Sequence, residues 1–227
     1  MKVYKQNGML SNCFMPSILF DLDGTLIESK IRLFQLFSLL IPNTCLDANK
    51  YWEKKQAGIG HEVLISSIQH TSSLSFSDFQ SKWMELIESD EFLNFDKPFS
   101  FSTSLLKNLK SKNIELYLIT ARQFPEKVKK QLQTFGWDNF FTEVWVTQQK
   151  ESKKDLLIRI GIPNDVIAMI GDTGYDILTA NELGIYSVGV LTGFHSKETL
   201  LKYNPKEIIE KVEDIINTKA FQFINYE

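Results

Sequence analysis

Cysteine is scarce: Cys13 and Cys45 are the only two in 227 residues. That number builds no disulfide framework, and a reducing compartment is the plain reading. No apolar run approaches the roughly 18 residues of a membrane span. The opening "MKVYKQNGMLSNCFMPS" has no continuous apolar stretch of the secretory kind, so residues 1–15 read as a loose leader and the expected location is cytoplasmic. The three histidines, His61, His70 and His195, fall in separate regions without ligand spacing, which excludes a zinc site of the usual kind. There is no excess of positive charge either. Lys and Arg total 25 against 28 Asp and Glu, a net charge of -3, so neither a nucleic-acid partner nor a membrane partner is expected. Basic clusters near 107–112, 127–130 and 150–154 are flanked by acidic and apolar residues and read as solvated helix faces.

What is present is an alternation. "SILFD" (17–21), "IELYLIT" (114–120), "EVWVT" (143–147), "VIAMIGD" (166–172) and "YSVGV" (186–190) are short apolar runs suited to strands buried on both faces of a parallel sheet. Helical stretches lie between them at 125–136, 153–161 and 175–184, each ending on a glycine stop, Gly136, Gly161 or Gly184. Strand then helix, repeated, predicts an α/β fold: an open, doubly wound, Rossmann-like parallel sheet.

The alternation breaks between Leu26 and Pro98. No strand-like run stands out there, while amphipathic segments recur at 30–41, 48–56, 61–69 and 76–89. These predict a small helical domain over 27–97, inserted into a core made of 16–26 and 98–227. Trp52 and Trp83 are expected in its interior.

Ligands of an open α/β sheet sit outside the carboxyl ends of the strands. The residues ending these runs form a set: Asp21 and Asp23, Thr120, and Asp172 with Asp176, plus the pair Lys153–Lys154 opening a helix. A carboxylate with an ordinary pKa of about 3.9 is ionised at neutral pH and needs no base to act as a nucleophile. Its attack on an anionic phosphate is opposed electrostatically, and a divalent cation with a lysine relieves the opposition. Mg²⁺ suits a few carboxylate oxygens plus water and phosphate. The Thr120 hydroxyl and backbone N–H groups around Gly24 and Thr25 are suited to phosphate oxygens.

These residues resemble the haloacid dehalogenase superfamily, in its phosphatase branch with a helical cap, similar to phosphoglycolate phosphatases. "DLDGTL" is similar to the first motif, Thr120 to the second, Lys153 or Lys154 to the third and "GDTGYD" to the fourth, in order, over 17 to about 215. The resemblance implies Asp21 as nucleophile and Asp23 as general acid and then base. It implies Mg²⁺ held by Asp21, the Asp23 main chain and Asp172 with Asp176, and Thr120 and the lysine on the phosphoryl group of a small phosphorylated metabolite. No proline follows the lysine pair, a departure from the commonest family form. If Leu156, Leu157 and Ile160 are the buried positions of the helix at 153–161, Lys153 shares their face and Lys154 is rotated outward.

Arg122 is placed either against substrate or in a surface salt bridge. The turn Gly58–Ile59–Gly60, flanked by Lys54, Lys55 and His61, is either a loop that reads substrate or a plain helix–helix turn with solvated lysines. A dehalogenase would not require Asp23. A phosphonatase would need a cap lysine, for which Lys54 and Lys55 qualify only by type. A phosphomutase shares the core, and a silent binding protein should carry a damaged motif, which this chain does not.

Overall fold

The computed structural model describes residues 15–68, 72–163 and 165–222. Most of the leader, with Cys13, and also His70, lies outside them. In chain order the elements are β1 (Ser17–Phe20), β2 (Ile27–Glu28), α1 (Lys30–Leu40), α2 (Ala48–Gln56), α3 (His61–Ser66), α4 (Phe76–Leu86), α5 (Asp90–Leu93) and β3 (Lys97–Pro98). There follow α6 (Ser102–Ser111), β4 (Glu115–Thr120), α7 (Pro125–Thr134), β5 (Glu143–Val146), α8 (Lys153–Ile160), β6 (Val166–Gly171) and α9 (Gly174–Glu182). The described chain closes with β7 (Ser187–Val190), α10 (Lys197–Leu201), β8 (Glu207–Ile209), a 3₁₀ turn over Val212–Asn217 and α11 (Lys219–Gln222).

Six strands form one sheet in the order β5-β4-β1-β6-β7-β8, and every pairing is parallel. Period-two alternation fills both faces. Ile18, Phe20, Leu116, Leu118, Ala168 and Ile170 point into one apolar cluster with Leu105, Leu109, Leu132 and Phe221. Leu19, Tyr117, Ile119 and Met169 point into the opposite cluster with Leu156, Leu157 and Ala180. This is the predicted doubly wound α/β architecture. The order reverses about β1: β4 lies on one side and β6 on the other, so the crevice opens beyond the carboxyl ends of β1 and β6.

Helices α1 to α5 carry a third cluster, built on Leu36, Phe37, Tyr51, Leu64, Phe79 and Phe92, against which Trp52 and Trp83 pack. The stretch from Leu26 to Pro98 is not free of strand, however. Ile27 pairs antiparallel with Pro98, and Glu28 with Lys97. Two residues on each side are too short to show an alternating pattern, which is why the ribbon leaves no signature in the sequence. Ile160 also departs from expectation: it is 37% exposed, because α8 ends there and Gly161 (φ 85°) turns the chain away. Leu156 and Leu157 are buried as predicted. Among the described residues no helix is long and apolar enough to cross a membrane.

Candidate active site

The first carboxylate follows β1 directly. The Asp21 N–H donates to the Ile170 carbonyl at 2.9 Å, extending the ladder one step past the strand, and the chain then turns. The turn closes through Gly24 N–H to the Ile27 carbonyl (2.8 Å) and Leu26 N–H to the Leu22 carbonyl (2.9 Å). Gly24 has φ +78°, and a Cβ there would lie 2.3 Å from Asp172 Oδ2, so only glycine fits. Thr25 Oγ1 donates back to Asp21 Oδ2 at 3.3 Å. Asp21 is thereby held on β1 while Asp23 is displaced by the turn.

Asp172 follows β6, on the other side of the crevice, and Asp176 lies in the first turn of α9. Phe194 N–H donates to Asp172 Oδ2 at 2.5 Å, and Thr173 donates to Asp176 Oδ2 through both its N–H (3.1 Å) and its hydroxyl (2.6 Å). Lys153, at the start of α8, donates to Asp21 Oδ1 and, at 2.6 Å, to Asp176 Oδ1. Lys154 instead pairs with Glu182 at 2.9 Å and is partly exposed. Lys153 is thus the buried lysine of the pair, on the side of α8 that buries Leu156 and Leu157 but not Ile160.

Three buried carboxylates, Asp21, Asp172 and Asp176, offer oxygens all within 4.8 Å of one another. Burial pushes the Asp21 carboxyl up to about 7, with Asp176 and Asp23 adding to the rise and Lys153 opposing it. Asp172 is pushed well up for the same reasons, by burial first and then by Asp21 and Asp176. Its Oδ1 is buried without a hydrogen-bond partner. One lysine does not neutralise three such groups. The oxygen donors, their spacing and the orphaned Asp172 Oδ1 fit a hard divalent cation such as Mg²⁺.

Asp23 has a different environment. Both its oxygens are taken by Arg122, from Nε at 2.6 Å and Nη2 at 2.7 Å, and Arg32 Nη2 also donates to Oδ1. Asp96 joins the same two arginines, 3.1 Å from Arg32 Nε and 2.9 Å from Arg122 Nη2. Burial alone would raise the Asp23 carboxyl, but Arg122 and then Arg32 outweigh it and hold the group far below the usual carboxylate range. Arg122 is 4% exposed, so the surface salt bridge is corrected to a buried one.

Asp21, Asp23, Thr120, Arg122, Lys153, Asp172 and Asp176 all line one cleft. Gly24 and Thr25 form the turn that follows Asp23 and are not among the residues that line it. Lys55 and His61 are not brought to it. The Lys55 ammonium donates to the Ile59 carbonyl at 3.2 Å, closing its own turn, and His61 packs among Tyr51, Phe37 and Trp83. Sequence reasoning missed Arg32, Asp96 and Glu88. The signal for Arg32 was present: it lies four residues before Leu36, on the apolar stripe of α1, where a charge needs a partner. Asp96 and Glu88 sit in irregular segments, where no period applies. Glu88 accepts the N–H groups of Gln123 (2.7 Å) and Phe124 (3.3 Å), joining the helical insert to the β4–α7 loop.

The profile of the haloacid dehalogenase-like hydrolase family matches residues 18–190, and the chain belongs to that family. Pyrophosphatase PpaX of Bacillus velezensis is 25% identical over 217 residues, spanning 89% of this chain and 95% of its own. A phosphoglycolate phosphatase of Psychrobacter arcticus is 24% identical over 220 residues, spanning 88% and 94%. Among solved structures, a haloacid dehalogenase-like hydrolase from Streptococcus pneumoniae superposes with a TM-score of 0.70 at 23% identity, covering 89% of this chain and 97% of that one.

Proposed function

We propose that this chain is a Mg²⁺-dependent phosphatase that hydrolyses a small phosphomonoester through an aspartyl-phosphate on Asp21. One observation carries the reading: Asp21, fixed at the end of β1, is gripped by Lys153 beside the buried pair Asp172 and Asp176. The names of the pyrophosphatase and phosphoglycolate phosphatase relatives support phosphoryl chemistry without deciding between substrates.

Asp21, the Asp23 main chain, Asp172 and Asp176 would hold the cation, which supplies charge neutralisation between nucleophile and phosphate. An Asp21 oxygen attacks phosphorus, and the bond to the ester oxygen breaks with its electron pair leaving on that oxygen, which takes a proton from Asp23. Water then attacks the same phosphorus and gives its proton to Asp23, and inorganic phosphate departs with the Asp21 carboxylate restored. Lys153 and Thr120 hold the phosphoryl oxygens, and the backbone around Gly24 and Thr25 adds N–H donors. In the arrangement described, Asp23 is held in the base form by two arginines. The acid form requires release from Arg122, which grips both oxygens from the β4–α7 loop, as well as from Arg32 on α1, so residues 27–97, acting as a cap, bear on one of the two contacts.

The test is phosphate release from small phosphomonoesters with Mg²⁺ and with chelator, for wild type and Asp21→Asn. Mg²⁺-dependent release that falls at least about a thousandfold in Asp21→Asn is expected. Equal turnover in the variant would remove Asp21 as nucleophile and, with it, this mechanism.

A further inference from the structure

Between Thr120, the end of β4, and Pro125, the start of α7, lie four residues, Ala121 to Phe124. They carry Arg122, which holds both oxygens of Asp23. The helix that follows does not close this loop from its own end. Pro125 has no N–H, and Phe124 at the cap position has no side chain that accepts one. The cap comes from elsewhere. Glu88 of the helical insert takes the Gln123 N–H on Oε1 at 2.7 Å and the Phe124 N–H on Oε2 at 3.3 Å, from 35 and 36 residues away along the chain.

Further contacts hold the same join. The Glu88 carbonyl accepts from the Lys127 ammonium at 2.6 Å, and Gln123 Nε2 donates to the Met84 carbonyl at 2.8 Å. Glu88 is 2% exposed and lines the cleft beside Thr120, Ala121 and Arg122. Its negative charge meets the positive end of α7 and adds to Asp23 and Asp96 in holding the Arg122 guanidinium charged. Without Glu88, two N–H groups at the cleft lose their acceptors and the loop loses its outside anchor.

From these contacts we propose that Glu88 is a positioning residue: its carboxylate, carried by the cap, orders Ala121–Phe124 and so fixes Arg122 against Asp23 for the step in which water gives up its proton. The proposal rests on the phosphatase reading of the same site. Arg32 is the cap's direct contact with Asp23, and Glu88 supplies an indirect one through the core's own loop. Asp21, Lys153, Asp172 and Asp176 are placed by other segments, β1, α8, β6 and α9, so the attack on phosphorus does not call on Glu88.

The probe is p-nitrophenyl phosphate with Mg²⁺ under rapid mixing, for wild type, Glu88→Ala and Glu88→Gln. Nitrophenolate leaves without a proton, so its release reports the attack by Asp21, while release of phosphate reports hydrolysis of the aspartyl-phosphate. In Glu88→Ala the second step is expected to slow about tenfold while the first stays within about twofold of wild type, so that kcat and KM fall together and kcat/KM is kept. Glu88→Gln keeps the size and one acceptor oxygen. It is expected to lie between the two, and it carries the test if Glu88→Ala does not fold. Loss of folded protein lowers the burst amplitude and leaves both rate constants alone, which separates positioning from a merely structural role. A second step at the wild-type rate in the folded variants, or both steps slowed by the same factor, overturns the inference while leaving the phosphatase reading standing. Release of neither product by wild type overturns both.

Discussion

A histidine beside a glycine turn invites a reading as a substrate contact, yet His61 lies stacked on Phe37 and Tyr51, its Nε2 2.9 Å from the Tyr51 hydroxyl. Residue type was legible and the neighbourhood was not. Burial, with Lys55 adding to it, pushes the His61 imidazole down to about 3 from its ordinary 6.5. A base depressed on folding contributes stability that is fully present above the unfolded value and lost as pH falls through the folded one. Wild type should therefore lose melting temperature relative to His61→Phe as the pH drops from about 7 to about 4. A difference that stays flat across that range would contradict a neutral, buried His61. Asp23 makes the same point in reverse: the first motif is plain in the sequence, but the two guanidiniums that hold its carboxylate ionised come from positions 9 and 99 residues away.

At the scale of elements, the alternation of apolar runs and glycine-stopped helices made five of the six sheet strands readable, since the inner strands are largely buried on both faces and need little polar patterning, while the edge strand β8 (Glu207–Ile209), only half-buried, was not read. The helical insert was readable from its stripes. The β2–β3 ribbon was not, and neither was the role of α1 as the carrier of Arg32. That arginine is 3% exposed and ties α1 to Asp23 and to Asp96, which directly precedes β3. Removing one partner of a buried ionic group leaves carboxylates without compensation, at a cost of about 3–5 kcal/mol. Arg32→Met should lower the unfolding free energy in urea by roughly that amount, and adding Asp96→Asn should recover part of it. A loss below about 1 kcal/mol, the range of an exposed pair, would show that the network is weak.

For the whole molecule, the helical insert touches the core along both sides of the cleft. On one side Gln56 accepts at its carbonyl from Ser196 N–H and the Thr199 hydroxyl, each at 3.0 Å. On the other, Lys127 donates to the Glu88 carbonyl at 2.6 Å, and Gln123 Nε2 to the Met84 carbonyl at 2.8 Å. Among the described residues, the strand pairing between the two connections is the two-residue ribbon at 27–28 and 97–98, which we propose as the hinge of a helical lid. Locking the lid should slow exchange of substrate and product. In a background without Cys13 and Cys45, oxidation of a Gln56→Cys, Ser196→Cys pair should lower kcat several-fold, with recovery on reduction. Full turnover in the oxidised protein would mean that the lid does not need to open.

The sequence by itself determined what depends on short-range order: the strands β1, β4, β5, β6 and β7 and their ends, the helix stops, the carboxylates and Thr120 at strand ends, and the start of α8 that turns Lys153 inward. Each follows from periodicity or from a turn, and both are local. Tertiary structure alone decided the partners. Whether a carboxylate is held ionised by two arginines or pushed toward neutrality by burial among its own kind depends on which distant segments fold against it. Asp21 and Asp23, two residues apart on one turn, are driven in opposite directions for that reason.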